Sequence, residues 1–111
     1  MKALGLLILG GAFGVLSRYG ISKVFMNPFY LGALFSNLFA CFLFGYFDQK
    51  LSPNLSLFFF TGLLGGMSTF SSFIRDLHHF FYLKQFGSFL LLLLSHLIFG
   101  FFIFLLGKKI A

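Results

Sequence analysis

The protein has 111 residues, of which 59% are hydrophobic and only 9% are charged, whereas a soluble domain carries roughly 25% charged residues. A chain this small exposes much of its surface and needs charge to cover it in water, so an ordinary soluble enzyme is excluded. An aromatic content of 23% and a mean hydropathy of +1.02 exclude a disordered chain. The net charge is +6, but its lysines and arginines are scattered, so no nucleic-acid partner is predicted.

Four apolar segments are long enough to cross a bilayer, which takes about 20 mostly apolar residues. The loops between them are short and leave no extramembrane domain. We therefore predict an all-α, multi-pass protein of the cell membrane, in which residues 1–111 form a single integral membrane domain. The four predicted segments cover residues 3–24, 29–47, 55–73 and 86–106.

The positive charge is divided equally between the two sides of the predicted bundle. The side of the chain ends carries Lys2, Lys50, Lys108 and Lys109, and the opposite side carries Arg18, Lys23, Arg75 and Lys84. Orientation normally follows an excess of Lys and Arg on the cytoplasmic side, and here the difference is 4 − 4 = 0. Either other features choose one orientation, or copies insert both ways and pair antiparallel. We favour the second interpretation.

The first two segments each hold a polar group that a lipid-facing helix does not need. Arg18 lies about 15 residues into the first segment, roughly 22 Å along a helix. It is either an anchor that reaches the interface or a vestibule charge that attracts anions. Asn37, near the centre of the second segment, is costly in a membrane unless it is paired. It either bonds to another helix or lines a pore, where its NH₂ group donates to a passing anion.

The third segment contains the most unusual residues of the chain, from Gly62 through Gly65-Gly66-Met67-Ser68-Thr69 to Phe73. Adjacent glycines followed by hydroxyl residues form helix poorly, so we predict a break at Gly65-Gly66. A break inside the bilayer is tolerated only where protein, water or an ion satisfies the freed backbone groups. Freed carbonyls suit Na⁺, whereas freed N–H groups and hydroxyls suit an anion.

Phe70 and Phe73 in the same segment are three residues apart, so on a regular helix they share a face. The edge of an aromatic ring is positive and can attract an anion. The fourth segment contains Ser95 and His96, and a lone membrane histidine is more often hydrogen-bonded structure than a ligand. No Ser-His-acid, Cys-His or metal-ligand spacing is present, so the protein is predicted not to be an enzyme.

The two acidic residues of the chain, Asp48 and Asp76, lie near segment ends. A small proton-coupled, multidrug-type transporter needs a titratable group inside the membrane, usually a carboxylate. This class has the right length and number of segments, but the first segment has no such group. It is therefore the weaker alternative.

The residues of all these segments together resemble the Fluc (CrcB) family of fluoride channels. The first segment matches the family in Gly10-Gly11-Ala12-Phe13-Gly14-Val15-Leu16-Ser17-Arg18-Tyr19, and the second in Gly32-Ala33-Leu34-Phe35-Ser36-Asn37 with Gly45. The most specific match is 62–73, which is similar to the family signature GxxGGxTTFSTF. Ser68 and Ser72 replace two of its threonines.

The resemblance implies an antiparallel, dual-topology homodimer in the lipid bilayer, with fluoride pathways along the subunit interface. It also implies a structural Na⁺ at the dimer centre that is not transported. By position, the Na⁺ carbonyls belong to Gly65 and Ser68, and the vestibule charge belongs to Arg18. The predicted fluoride pathway is lined by Asn37, Thr69, Phe70, Ser72, Phe73, Ser95 and His96.

The implied function is a fluoride-selective channel that exports F⁻ passively and lowers cytoplasmic fluoride. Two departures from the family pattern bear on it. The family follows its signature with Ser-x-Glu, where this chain has Ile74-Arg75-Asp76. In the fourth segment, Leu92 and His96 fall on the family's track of Tyr and Ser hydroxyls, with Ser95 displaced by one. Some members work as pairs of non-identical subunits, so a subunit of a heterodimeric fluoride channel is a second alternative.

Overall fold

The computed structural model describes residues 2–111, which form helices joined by short connections, with no β-strand in this described part. Helices α1 (Lys2–Val24), α2 (Leu31–Phe47) and α4 (Phe70–Tyr82) are regular. Helix α3 consists of Pro53–Ser56, a π-helical stretch Leu57–Leu64, and Gly65–Met67. Helix α5 consists of Phe86–Leu94, a π-helical stretch Ser95–Phe99, and Gly100–Ile110.

Three helical stretches are long and apolar enough to cross a membrane, namely Lys2–Val24, Pro53–Tyr82 and Phe86–Ile110. The second of these contains α3 and α4. Helix α2 is apolar but has only 17 residues, or about 26 Å at 1.5 Å per residue. The predicted all-α membrane class is confirmed.

Helices α1 and α3 approach closely because glycines occupy their contact. A Cβ atom on Gly14 of α1 would overlap the carbonyl oxygen of Leu63. From the opposite side, a Cβ atom on Gly62 of α3 would lie 2.9 Å from the Cα atom of Gly10. Small residues four apart are the usual way for membrane helices to bring their backbones together.

Helices α2 and α5 form a second close contact of the same kind. A Cβ atom on Gly45 would overlap the Phe104 carbonyl oxygen, and one on Gly107 would overlap the Phe42 carbonyl oxygen. The glycine contacts therefore bring the helices together in two tightly packed pairs, α1 with α3 and α2 with α5.

An ion pair joins the ends of α2 and α5 on one side of the molecule. Lys108 Nζ lies 2.8 Å from Asp48 Oδ2, and both side chains are partly exposed. An exposed pair of this kind contributes at most about 1 kcal/mol. The pair does show that the loop after α2 and the end of α5 lie on the same side of the molecule.

The third stretch is interrupted at Ser68 and Thr69, whose backbones are extended, whereas Gly65 and Gly66 remain helical. A broken third helix is present, but the predicted position of the break at Gly65-Gly66 is wrong. Gly66 is needed in the helix that packs on α1, where a Cβ atom would lie 2.8 Å from the Gly11 carbonyl oxygen. Serine and threonine, by contrast, offer the backbone hydrogen bonds that compete with helix.

Helix α4 continues to Tyr82, well beyond the predicted end of the third segment at residue 73. It is amphipathic, with one buried face and one polar face, so its overall hydropathy is low. The predicted third segment ends at residue 73 because the polar residues beyond it lower the hydropathy of the chain. The buried face packs against α5 in a cluster formed by Phe73, Leu77, Phe80 and Leu92.

Candidate functional site at the helix break

The backbone at the break is held by one side chain of α2. Asn37 Oδ1 accepts a hydrogen bond from the Thr69 N–H at 2.7 Å, and Asn37 Nδ2 donates to the Thr69 carbonyl oxygen at 3.2 Å. One amide thus satisfies both backbone polar groups of a residue that lies outside any helix. An asparagine NH₂ group has two N–H donors, so one remains for another acceptor.

Thr69 is the N-cap of α4, and its hydroxyl is paired with Ser72. Thr69 Oγ1 accepts a hydrogen bond from the Ser72 N–H at 3.3 Å and donates one to Ser72 Oγ at 3.2 Å. An N-cap threonine stabilises a helix by about 1 kcal/mol. Because Ser72 Oγ accepts from Thr69, its own O–H is left to donate elsewhere.

These side-chain bonds release two carbonyl groups from helical pairing. In a continuous α-helix the Thr69 N–H would bond to the Gly65 carbonyl, and the Ser72 N–H to the Ser68 carbonyl. Here the two N–H groups bond to Asn37 Oδ1 and Thr69 Oγ1 instead. The Gly65 and Ser68 carbonyls are therefore available to another partner. Carbonyl oxygens of this kind are suitable ligands for a hard cation such as Na⁺.

A cavity of about 480 Å³ lies beside the break, between α2, α3, α4 and α5. Its wall contains both residues predicted to bind Na⁺ and five of the seven predicted to line the fluoride pathway. Most of the other lining residues are apolar. The predicted residues in this wall are Asn37, Gly65, Ser68, Thr69, Phe70, Phe73 and His96.

Three rings stand in series on the α4–α5 side of this cavity. Phe70 and Phe73 meet edge to face, with centroids 6.0 Å apart, and Phe73 lies on His96 with centroids 4.0 Å apart. Phe73 is 6% exposed, whereas Phe70 is 74% exposed. An edge-to-face pair presents positive ring edges as well as faces. The protein chain therefore covers one ring and leaves the other open.

A second cavity, of about 380 Å³, lies on the other side of the break, between α1, α2 and α4. It is lined by Arg18, Arg75, Ser72 and Thr69, among other residues. Two guanidinium groups, together with hydroxyls such as those of Thr69 and Ser72, make it a suitable entrance for an anion. Thr69 is the residue common to the linings of both cavities, so the break lies between an electropositive cavity and an aromatic one.

The sequence profile of the family described as "CrcB-like protein, Camphor Resistance (CrcB)" matches residues 5–108 of this chain. The chain belongs to the CrcB-like family. The resemblance found in the sequence is thereby confirmed, and with it a multi-pass protein of the cell membrane.

Similar CrcB-like proteins from several organisms carry the name "Fluoride-specific ion channel FluC". The one from Thermosipho melanesiensis is 37% identical over 117 residues, which cover 96% of this chain and 93% of the relative. The one from Haemophilus ducreyi is 35% identical and covers 96% of this chain and 89% of the relative. The one from Pyrococcus horikoshii is 44% identical over 80 residues, 65% of either chain.

Three predicted site residues of this CrcB-like protein do not line the aromatic cavity, namely Arg18, Ser72 and Ser95, and Ser95 lines neither cavity. Ser72 and Arg18 border the electropositive cavity. Ser95 Oγ donates to the Leu91 carbonyl oxygen of its own helix at 2.6 Å. Asp76 is 1% exposed and is absent from both linings. Its nearest charged partner is Arg75, at 3.7 Å from Nη2 to Oδ1.

Arg75 was not predicted as a site residue, although it borders the electropositive cavity together with Arg18. The signal was present in the spacing, since Thr69, Ser72 and Arg75 are three residues apart. On a helix this spacing puts Ser72 and Arg75 on one face. It was missed because the helix was expected to end at residue 73.

Proposed function

We propose that this CrcB-like protein is a fluoride-selective channel, as its relatives are named. The observation that carries the proposal is the break itself. There the Asn37 amide holds Thr69 while keeping one N–H group free, and the Phe70–Phe73 pair lies in the wall of the same cavity. Such a site offers hydrogen-bond donors and positive ring edges and no fixed charge.

Selectivity would follow from how these groups replace water. A small, strongly hydrated anion enters a narrow path only if donors replace its hydration shell. The free N–H of Asn37 and the O–H of Ser72 are such donors, and the edges of Phe70 and Phe73 add weaker positive contacts. A larger anion such as chloride gains less from short donor contacts and fits the path less well.

The direction of transport would be set by the ion gradient and the membrane potential. Hydrogen fluoride crosses membranes as a neutral molecule and ionises in a more neutral cytoplasm, where F⁻ is trapped. A negative interior drives F⁻ outward through a passive pore without ATP. Arg18 and Arg75 would raise the local concentration of F⁻ at one mouth. The expected result is export that lowers cytoplasmic fluoride.

The channel is proposed to be an antiparallel, dual-topology homodimer, with α2 completing four membrane spans per chain. Two observations support it. The count of cationic residues shows no bias between the two sides. Phe70, in the most specific motif of the chain, lines the aromatic cavity and is 74% exposed. A second chain packed against this face would cover Phe70 and complete the wall of the cavity. In an antiparallel dimer the second chain would form an equivalent pathway of opposite orientation.

A structural Na⁺ at the centre of this dimer is proposed to be held by the Gly65 and Ser68 carbonyls. Their release from helical pairing by Asn37 and Thr69 supports the assignment. When bound, Na⁺ supplies positive charge near the bilayer centre. Replacing Na⁺ by K⁺ in the detergent buffer should lower the temperature of dimer dissociation. Equal dissociation temperatures in the two salts would contradict the assignment.

The conduction proposal is tested with purified protein in liposomes and a fluoride electrode. Phe70→Ile removes the positive ring edge and keeps an apolar side chain, and it should lower fluoride efflux at least about tenfold, which corresponds to 1.4 kcal/mol in the barrier. Phe102→Ile is the matched control, because Phe102 is also exposed, at 62%, but lines neither cavity. It should conduct like the wild type.

The dimer of each variant is measured by cross-linking, so that a folding defect is not read as a pore defect. Phe70→Ile dimers that retain full efflux would contradict a role of the ring edges. The orientation is tested separately by Lys109→Cys in a Cys41→Ala background, labelled from one side of intact cells. About half of the copies should react if orientation is unbiased. Labelling of all copies, or of none, would exclude dual topology.

A proton-coupled transporter is disfavoured, since neither cavity lining contains a carboxylate, the usual proton-carrying group of that class. A subunit of a heterodimeric channel is the remaining alternative. It is favoured by the departures at Ile74-Arg75-Asp76 and His96, and it predicts that the purified chain alone does not conduct.

A further inference from the structure

His96 has one ring nitrogen with a partner and one without. Nδ1 lies 3.2 Å from the Leu92 carbonyl oxygen of the same helix. Nε2 is buried and has no hydrogen-bond partner among the described residues. The ring lies against Phe73, with centroids 4.0 Å apart, and it borders the aromatic cavity. The unpartnered nitrogen therefore belongs to a side chain at the wall of the proposed pathway.

The Leu92 contact decides which nitrogen carries the hydrogen when the ring is neutral. A carbonyl oxygen only accepts, so Nδ1 must carry the hydrogen of that bond. In the neutral ring Nε2 then holds a lone pair, which accepts hydrogen bonds and repels an anion. When the ring is protonated both nitrogens are donors, and Nε2–H gains a proton that it can offer to fluoride. The same atom therefore changes from opposing an anion to binding it.

We propose that His96 is a proton-operated fluoride ligand, whose Nε2 donates to F⁻ only in the imidazolium form. This inference rests on the proposed function of the chain as a fluoride channel. The proton comes from water and stays on the ring while F⁻ passes, so no proton is transported with the ion. Fluoride conduction therefore increases as the pH is lowered, which is the condition under which hydrogen fluoride enters cells.

Other titratable groups near His96 have a weaker claim to such an effect. On α2 the titratable residue of the cavity wall is Cys41. Its sulfur atom lies near Gly100, 3.7 Å from the position that a Cβ atom on that glycine would occupy. On α4, Asp76 is buried and follows Phe73 by three residues, but it does not line the cavity. Helix α3 contributes no titratable side chain to this wall. Cys41 and Asp76 are therefore the two control positions.

The test is the pH dependence of fluoride efflux from liposomes, with the membrane potential clamped and the rate of protein-free liposomes subtracted. The protonated fraction of an imidazole falls about tenfold per pH unit above its pKa, so we expect wild-type efflux to rise by about three- to tenfold per unit as the pH is lowered from about 8 to about 6. His96→Gln keeps an N–H donor at every pH and should remove this slope. Cys41→Ala and Asp76→Asn should each keep it.

Each outcome decides the question. A pH slope in the wild type that disappears in His96→Gln and persists in Cys41→Ala and Asp76→Asn supports the proposal. Wild-type efflux that does not change with pH overturns it, and this needs no variant. A full slope in His96→Gln also overturns it. Absence of fluoride efflux at every pH overturns the proposed function, and this inference with it, whereas pH-independent efflux overturns this inference alone.

Discussion

The α1–α3 contact and the break between α3 and α4 solve opposite problems within one membrane stretch. At the contact, Gly14 and Gly62 have no side chains, so that the backbones of two helices approach closely. At the break, Asn37 and Thr69 use side chains to replace helical hydrogen bonds that are missing. The contact depends on the absence of side chains, whereas the break depends on the hydrogen-bonding groups of two particular side chains.

The adjacent glycines Gly65 and Gly66 differ in the same way, because one faces a cavity and the other a packed helix. Gly66 faces α1, where a Cβ atom would lie 2.8 Å from a carbonyl oxygen. Gly65 faces the aromatic cavity, where a Cβ atom would meet only the Phe60 carbonyl oxygen at 3.7 Å. A glycine pair in a membrane segment therefore indicates close packing at least as readily as a broken helix. The hydroxyl residues that follow it are the better sign of a break.

The largest effect is expected from closing the space at the glycine contact. In Gly14→Ala the new methyl group would overlap the Leu63 carbonyl oxygen, which is backbone and cannot swing away. We expect a loss of more than about 2 kcal/mol, the range of severe overpacking, and little folded dimer in detergent. Gly11→Ala is the matched control, because nothing lies within 4 Å of a Cβ atom there. Equal yields of folded dimer from the two variants would contradict the packing account.

A smaller loss of stability, with a larger functional part, is expected at the break. Asn37→Ala leaves the Thr69 N–H and carbonyl without their partner. Because Thr69 is only half-buried, each group should cost no more than the lower end of the roughly 1–3 kcal/mol of an unsatisfied buried group. The dimer should dissociate at a lower temperature than the wild type and conduct little fluoride. Asn37→Asp keeps the acceptor of the Thr69 N–H but loses the donor N–H groups and adds a negative charge. It should fold better than Asn37→Ala and conduct as little.

Asn37→Asp that conducted like the wild type would show that the amide is purely structural. The pair of variants thus separates the two interpretations left open by the sequence, a bond between helices and a pore-lining amide. The structure shows the first, and the second depends on the N–H that remains free.

The smallest effect is expected at the electropositive cavity. Arg75→Gln removes one of its two guanidinium groups. It should lower fluoride efflux by roughly two- to fivefold at low salt, where exposed charges attract ions over long distances. At 0.1 M salt this attraction is screened within about 10 Å. The difference should shrink as salt is added. Lys84→Gln is the control, since it removes a charge on the same side outside both cavities. A loss of efflux that does not depend on salt would contradict steering.

Much of the molecule could be predicted from the sequence because a bilayer imposes strong rules on composition. The four helical stretches follow from runs of apolar residues, and α1 and α2 begin and end within two residues of their predicted limits. The third stretch was less predictable for a physical reason. Its second half, Phe70–Tyr82, has a polar face, and whether that face meets lipid, water or another chain depends on tertiary packing.

The residues of the site could be predicted from the sequence, but the hydrogen bonds between them could not. The residues that meet in the aromatic cavity come from four helices, and motif resemblance named them. The reciprocal bond between Asn37 and Thr69 depends on the relative depth of α2 and α3, which no local pattern encodes. The position of Arg75 beside the electropositive cavity was not predicted, because α4 extends beyond residue 73, where the predicted segment ends.

The most direct test of the account is fluoride and chloride efflux from liposomes that contain only the purified wild-type chain. We predict rapid efflux of fluoride, recorded with a fluoride electrode, and chloride efflux no faster than from protein-free liposomes. Absence of fluoride efflux from folded, reconstituted protein would contradict a homodimeric channel, and equal rates for the two anions would contradict fluoride selectivity.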